Sequence, residues 1–103
     1  MSLLASALPS ANTLTKLYTV PAGKRAVVNM TACNRANTAA TMRIALSSKT
    51  TPADSEYVEF DTSVNANDSI ERTAIALSEG EQIFAQANSA SVAFNVWGIE
   101  EIA

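Results

Sequence analysis

Lys24-Arg-Ala-Val-Val-Asn-Met-Thr-Ala-Cys33 is the stretch that decides the fold class. Its even positions, Ala26, Val28, Met30 and Ala32, are apolar, whereas Arg25, Asn29 and Thr31 occupy odd ones. An extended chain points successive side chains to opposite faces, so this period of two marks a strand with one face in a core. Ala40 to Ser47 repeats the pattern, with Met42, Ile44 and Leu46 set against Thr41, Arg43 and Ser47.

Outward from this pair, short runs of similar character recur about every ten residues between turn signals. Thr15 to Val20 stops at Pro21-Ala22-Gly23, where proline sets φ for a corner and glycine accepts a positive φ. Ser48 to Ser55 is a longer polar loop with Pro52, Asn65 to Asp68 an Asx-rich turn, and Ser78-Glu79-Gly80 a tight one. In Glu56 to Thr62, Val58 and Phe60 are expected inward, with Glu59 and Asp61 outward. Ile70 is out of phase with Ile75 and Leu77, which calls for a bulge or a crossing between sheets. Ile83 and Ala85 oppose Gln82, Phe84 and Gln86. In the last run Val92, Phe94 and Val96 share a face, and Trp97 and Ile99 fall on the other. A bulge at Gly98 is the expected remedy, returning Ile99 to the core and leaving Trp97 partly covered; an outer-face apolar pair is the alternative.

No segment sustains a period of 3.6. The expectation is an all-β, antiparallel two-sheet sandwich of about eight strands, either jelly-roll or immunoglobulin-like, with strand order open. Residues 14–103 form this single domain, and residues 1–13, uncharged and rich in Ala, Ser and Leu, read as an amino-terminal arm. That arm either runs along a neighbouring subunit or is frayed. Its start lacks the basic flank and apolar length of a signal peptide, and no stretch has the length of a transmembrane helix.

The 103 residues are 48% hydrophobic, enough for one folded domain, but much of that share is alanine. A thin core is expected to gain stability from subunit contacts. Histidine is absent, which removes the usual nucleophile triads and the commonest transition-metal ligand. Cys33 is the only cysteine and reads as a structural thiol in a strand, made in a reducing compartment.

Charge divides the chain. Every residue from 1 to 50 that carries charge is basic, and the remaining residues hold all the acids with only Arg72 as a cation. Two readings follow. Copies can meet positive surface to negative surface, or strands from both halves interleave and neutralise one another within a domain.

Few motifs carry chemistry. Glu59 and Asp61 share a strand face, as paired acids would for glycoside hydrolysis, but a solvated face accounts for them. Asn65, Asn67 and Asp68 offer oxygen ligands without the spacing of a calcium loop. The sequons Asn29-Met-Thr31 and Asn67-Asp-Ser69 read as chance matches. Six cations with one interleaved aromatic, Tyr18, do not make a nucleic-acid platform on an acidic chain. No cofactor, metal, nucleic acid or membrane is expected, and no enzymatic activity.

Leu17-Tyr-Thr-Val-Pro-Ala-Gly-Lys-Arg-Ala-Val-Val-Asn-Met-Thr-Ala-Cys-Asn34 resembles the opening of small virion structural proteins of tailed bacteriophages. The segment Ser69 to Ala85, a strand, a Gly turn and a second strand, is similar as well. The resemblance implies a β-sandwich that assembles on the particle as a head decoration (cement) subunit, or as a tail, collar or baseplate accessory. It implies location in the virion, and no catalytic residues. The expected partners are further copies of the chain, with a trimer favoured, and the major capsid or tail lattice. Leu3, Leu4, Arg25, Arg43 and Trp97 are the candidate contact residues. A carbohydrate-binding sandwich, using Trp97, Tyr18 or Tyr57, is the rival reading.

Overall fold

The computed structural model describes residues 2–103. Eight strands follow in order: β1 (Ser2–Ala7), β2 (Thr15–Thr19), β3 (Lys24–Asn34), β4 (Ala40–Ser47), β5 (Tyr57–Val64), β6 (Ser69–Leu77), β7 (Gln82–Ala87) and β8 (Val92–Ile102). One turn of 3₁₀ helix, Asp54–Glu56, precedes β5. The strands form two four-stranded antiparallel sheets, ordered β1-β8-β3-β6 and β2-β7-β4-β5.

The pairing has a simple logic. β1 pairs β8, β2 pairs β7, β3 pairs β6 and β4 pairs β5, so the chain is doubled back at its midpoint and the doubled ribbon rolled into two layers. That is a jelly roll. An immunoglobulin-like order would place the first strand beside the second, not beside the last.

Alternation builds the core as expected along β3, β4, β7 and β8. Val28, Met30, Met42, Ile44, Ile83, Val92, Phe94 and Val96 are all fully buried between the sheets. Each such side chain contributes about 1.5–3 kcal/mol on leaving water. On the outer face of the second sheet, Phe84 and Ala45 are also buried, as is Pro52 in the loop after β4. That loop is pinned there. Gln82 Nε2 donates to the Ser47 and Lys49 carbonyls at 3.2 and 2.9 Å, and Glu56 accepts from Ser47 Oγ and the Ala53 amide at 2.9 and 2.7 Å.

Four expectations change or resolve. The slip in β6 is a bulge: its register with β3 shifts between Val28 and Met30, and Ala74 adopts a φ of 57°. In β5 the expected faces are reversed at Val58, Glu59 and Phe60, whereas Asp61 faces outward as expected. Phe60 is 58% exposed and Val58 is exposed too, whereas Glu59 is half-buried opposite Ile44. Two register shifts and a φ of 53° at Asp61 turn this edge strand over. β8 carries no bulge at Gly98, since its register with β3 runs unbroken from Val92 to Ile102, so Ile99 stays outside at 43% exposure. The bulge lies in β1, where Leu3 faces Trp97 and Ala5 faces Val96. Finally, residues 2–7 of the expected arm are an edge strand of the first sheet, hydrogen-bonded to β8 of the same chain. Alanine, serine and leucine need no partner subunit when an apolar strand of their own sheet lies alongside.

Candidate functional site

The outer face of the first sheet carries the odd-numbered residues of β3 and β8. Cross-strand partners stand about 5 Å apart on such a face, so register alone defines its neighbours. Leu3 lies beside Trp97, which lies beside Asn29; the next row joins Ile99 to Val27 and Val27 to Ala76. Leu3 is 65% exposed and Val27 48%, with Trp97 half-buried between its neighbours. These residues form one apolar patch across four strands. The following row is Arg25 opposite Glu101, ion-paired at 3.3 Å, and it closes the patch with charge. Toward the other end Asn95, Thr31 and Glu71 form a polar row.

The five candidate contact residues thus separate. Leu3 and Trp97 are direct neighbours within the patch, and Arg25 borders it. Leu4 does not belong to it: the β1 bulge turns Leu4 against the core. Arg43 lies on the other sheet. Its Nε and Nη2 donate to the two Asp61 carboxylate oxygens at 2.7 and 3.2 Å, and its guanidinium sits 3.9 Å over the Phe60 ring. This fork raises the Arg43 pKa and lowers that of Asp61.

Val27 and Ile99 complete the patch: Ile99 with Trp97 is the outer-face apolar pair that the sequence allows as the alternative to a bulge, whereas Val27 is a contact it does not single out. The signal was present, because Val27 shares odd parity with Arg25, and Ile99 with Trp97. Gly98 obscured it. Its role is close approach, not a bulge: a Cβ there would run into the Val27 carbonyl oxygen and lie 2.7 Å from Val28 Cα.

The carboxylates are dispersed. Glu59 points between the sheets to Thr62 and Arg72, and Asp61 points outward to Arg43. Burial pushes the Glu59 pKa up, but the hydrogen bonds from Thr62 and Arg72, with the charge of Arg72, leave it below its ordinary value. Tyr18, in the second sheet, donates its hydroxyl to Glu100 in the first; burial and that neighbour push its pKa up. Asn65 to Asp68 is a plain turn, with the Asp68 amide donating to the Asn65 carbonyl at 3.1 Å and Asp68 Oδ1 accepting from the Ser69 amide. Among the described residues no cluster of metal-ligating side chains occurs, and no helix is long and apolar enough to cross a membrane.

A concavity of about 210 Å³ on the second sheet is lined by Asn12, Thr41, Arg43, Asp61, Gln86 and Asn88. Asp61 is the only carboxylate in it, and that group is held by Arg43, so this hollow offers hydrogen bonds but no acid–base pair.

Half of the first-half cations find an acid within the same chain. Arg25 pairs Glu101, Arg43 pairs Asp61 and Lys49 pairs Glu56, each a first-half cation with a second-half acid. Comparison with family models, with curated proteins and with solved structures finds no match to this chain.

Proposed function

We propose that the chain is a non-enzymatic structural subunit of a phage particle, a capsid decoration (cement) protein that acts by binding a larger protein lattice. The apolar patch of Leu3, Trp97, Ile99, Val27 and Ala76 carries this reading. A patch on the flat outer face of a sheet, bordered by an ion pair and a polar row, has the make-up of a protein contact, not of a pocket for a small molecule. The resemblance of Leu17 to Asn34 to phage virion proteins supplies the setting, and tail or collar placement is the variant within it.

The test is made on particles carrying this coding sequence. The subunit is expected in purified virions at a fixed copy number by quantitative mass spectrometry. Val27→Ser with Ile99→Ser is expected to leave the fold intact and to release the subunit. Absence from wild-type virions, or full occupancy by the double variant, overturns the reading.

The concavity around Arg43 and Gln86 favours a second reading, a carbohydrate-binding sandwich, because amides, a hydroxyl and a charged fork converge there. Glycan binding lost on Gln86→Ala supports that reading over the first.

A further inference from the structure

Four strands are sheet edges: β1 and β6 in the first sheet, β2 and β5 in the second. An edge exposes a row of unpaired N–H and C=O groups, and proteins that stay monomeric block it with charge, brevity or bulges. Three of these edges carry charge as well as a register shift. β6 carries Glu71, Arg72 and the bulge at Ala74; β5 carries Glu59, Asp61 and two register shifts; β2 has five residues, including Lys16. β1, Ser2-Leu-Leu-Ala-Ser-Ala7, has neither charge nor proline. Its one irregularity, the bulge at Leu4, serves to seat that side chain on the core. Among the described residues no backbone hydrogen bond from elsewhere in the chain reaches its outer side.

We propose that β1 is the joint between two copies of this chain, which pair β1 to β1, antiparallel, about a two-fold axis. A strand partner must bring a free edge of its own, and β1 is the edge of this molecule that offers one. Antiparallel self-pairing sets an uncharged segment against itself, so no like charges meet. With the six residues in full register, the exposed Leu3 side chain of each copy stands opposite Ser6 of the other on the outer face. Their first sheets become one eight-stranded sheet, with both apolar patches on the same outer side. A six-residue strand is only about 20 Å long, so the joint is small and its occupancy follows concentration.

This deepens the building-block reading and rests on it, but the two fail separately. Sedimentation velocity of the full chain, from low micromolar to millimolar concentration, is expected to show a monomer passing to a dimer. Hydrogen exchange of the Ser2–Ala7 amides is expected to slow over the same range. Ser2→Lys with Ser6→Lys, both at exposed positions, places like charges across the joint. It is expected to weaken self-association about tenfold or more, with an unchanged melting midpoint at low concentration. A millimolar monomer, a dimer indifferent to the two lysines, or slowed exchange confined to other strands overturns the joint. A monomer found at fixed copy number in virions overturns the joint alone. A β1 dimer absent from virions keeps the joint and overturns the setting.

Discussion

Arg72 Nε donates to Glu59 Oε2 at 2.6 Å, and the two residues belong to different sheets. β5 and β6 are the edges on one open side of the sandwich, and this pair latches that side; the Tyr18–Glu100 hydrogen bond joins the sheets again from β2 to β8. The reversed face of β5 follows from the latch. Glu59 occupies a position that alternation assigns to solvent, and it is tolerated half-buried because Arg72 and Thr62 satisfy it.

A double-mutant cycle on Glu59→Gln and Arg72→Ala is therefore expected to give a coupling of about 1 kcal/mol in urea unfolding. Arg72 is 43% exposed, which keeps the value well below that of a buried pair. A coupling near zero would show that the sheets hold together at this side through packing alone.

Acid stability follows the same groups. Glu56 is held below its ordinary value of 4.5 by the Ala53 amide and Ser47, Glu59 lies below 4.5, and Arg43 keeps Asp61 below 3.8. The unfolded chain thus takes up protons before the folded one as pH falls. Stability is complete at neutral pH and is expected to decline once pH drops below about 5. Tyr18 acts oppositely: its raised pKa contributes stability that is present below its ordinary 10.0 and lost at higher pH. Melting midpoints across both ranges check this, with Glu59→Gln flattening the acid limb and Tyr18→Phe the alkaline one.

Alternation in β3, β4 and β8 made the sandwich legible, because each has one face in the core and one in water. It failed at β5, where bulges and a cross-sheet ion pair outweigh hydrophobicity, and at β1, whose Ala and Ser residues alternate too weakly to show a strand. Strand order was not legible, although one of the two readings of the divided charge, neutralisation within the domain, agrees with it. A jelly roll pairs its first half with its second, strand against strand, so a chain basic to Thr50 and acidic beyond it is partly neutralised by its own fold. Of the candidate contacts, Leu3 and Trp97 met through a register that no local pattern encodes.

Asn34 ends β3 and is fully buried. Its Nδ2 donates to the Thr38 and Val64 carbonyls at 2.8 and 3.1 Å, and its Oδ1 accepts from the Ala36 amide and Ser91 Oγ, each at 3.1 Å. Both ends of the amide are satisfied, and four segments are tied at one end of the sandwich. Asn34→Ala orphans those partners in a buried site and is expected to cost about 3 kcal/mol in denaturant unfolding.

Gly98 is paired on both sides, with Ser2 of β1 and Val28 of β3. The atoms a Cβ would meet are backbone atoms of Val27 and Val28, which cannot rotate away. Gly98→Ala is expected to destabilise by about 2 kcal/mol, although alanine suits a strand better than glycine does. It also displaces the strand that carries Trp97, so near-ultraviolet circular dichroism should change with it.

Salt separates the two uses to which the divided charge can be put. If the halves attract between copies, added sodium chloride screens them and assembly dissolves. Three of the six first-half cations, Arg25, Arg43 and Lys49, instead meet acids of their own chain, and these pairs are exposed enough (64% and 54% for Arg25 and Glu101) that salt alters stability little. Contacts made through uncharged β1 and the patch at Trp97 do not weaken on screening, and sulfate strengthens apolar burial. Self-association measured by sedimentation is therefore expected to hold in molar sodium chloride and to rise in sodium sulfate. A dimer that falls apart in sodium chloride would return the charges to the interface and remove the uncharged edge from it.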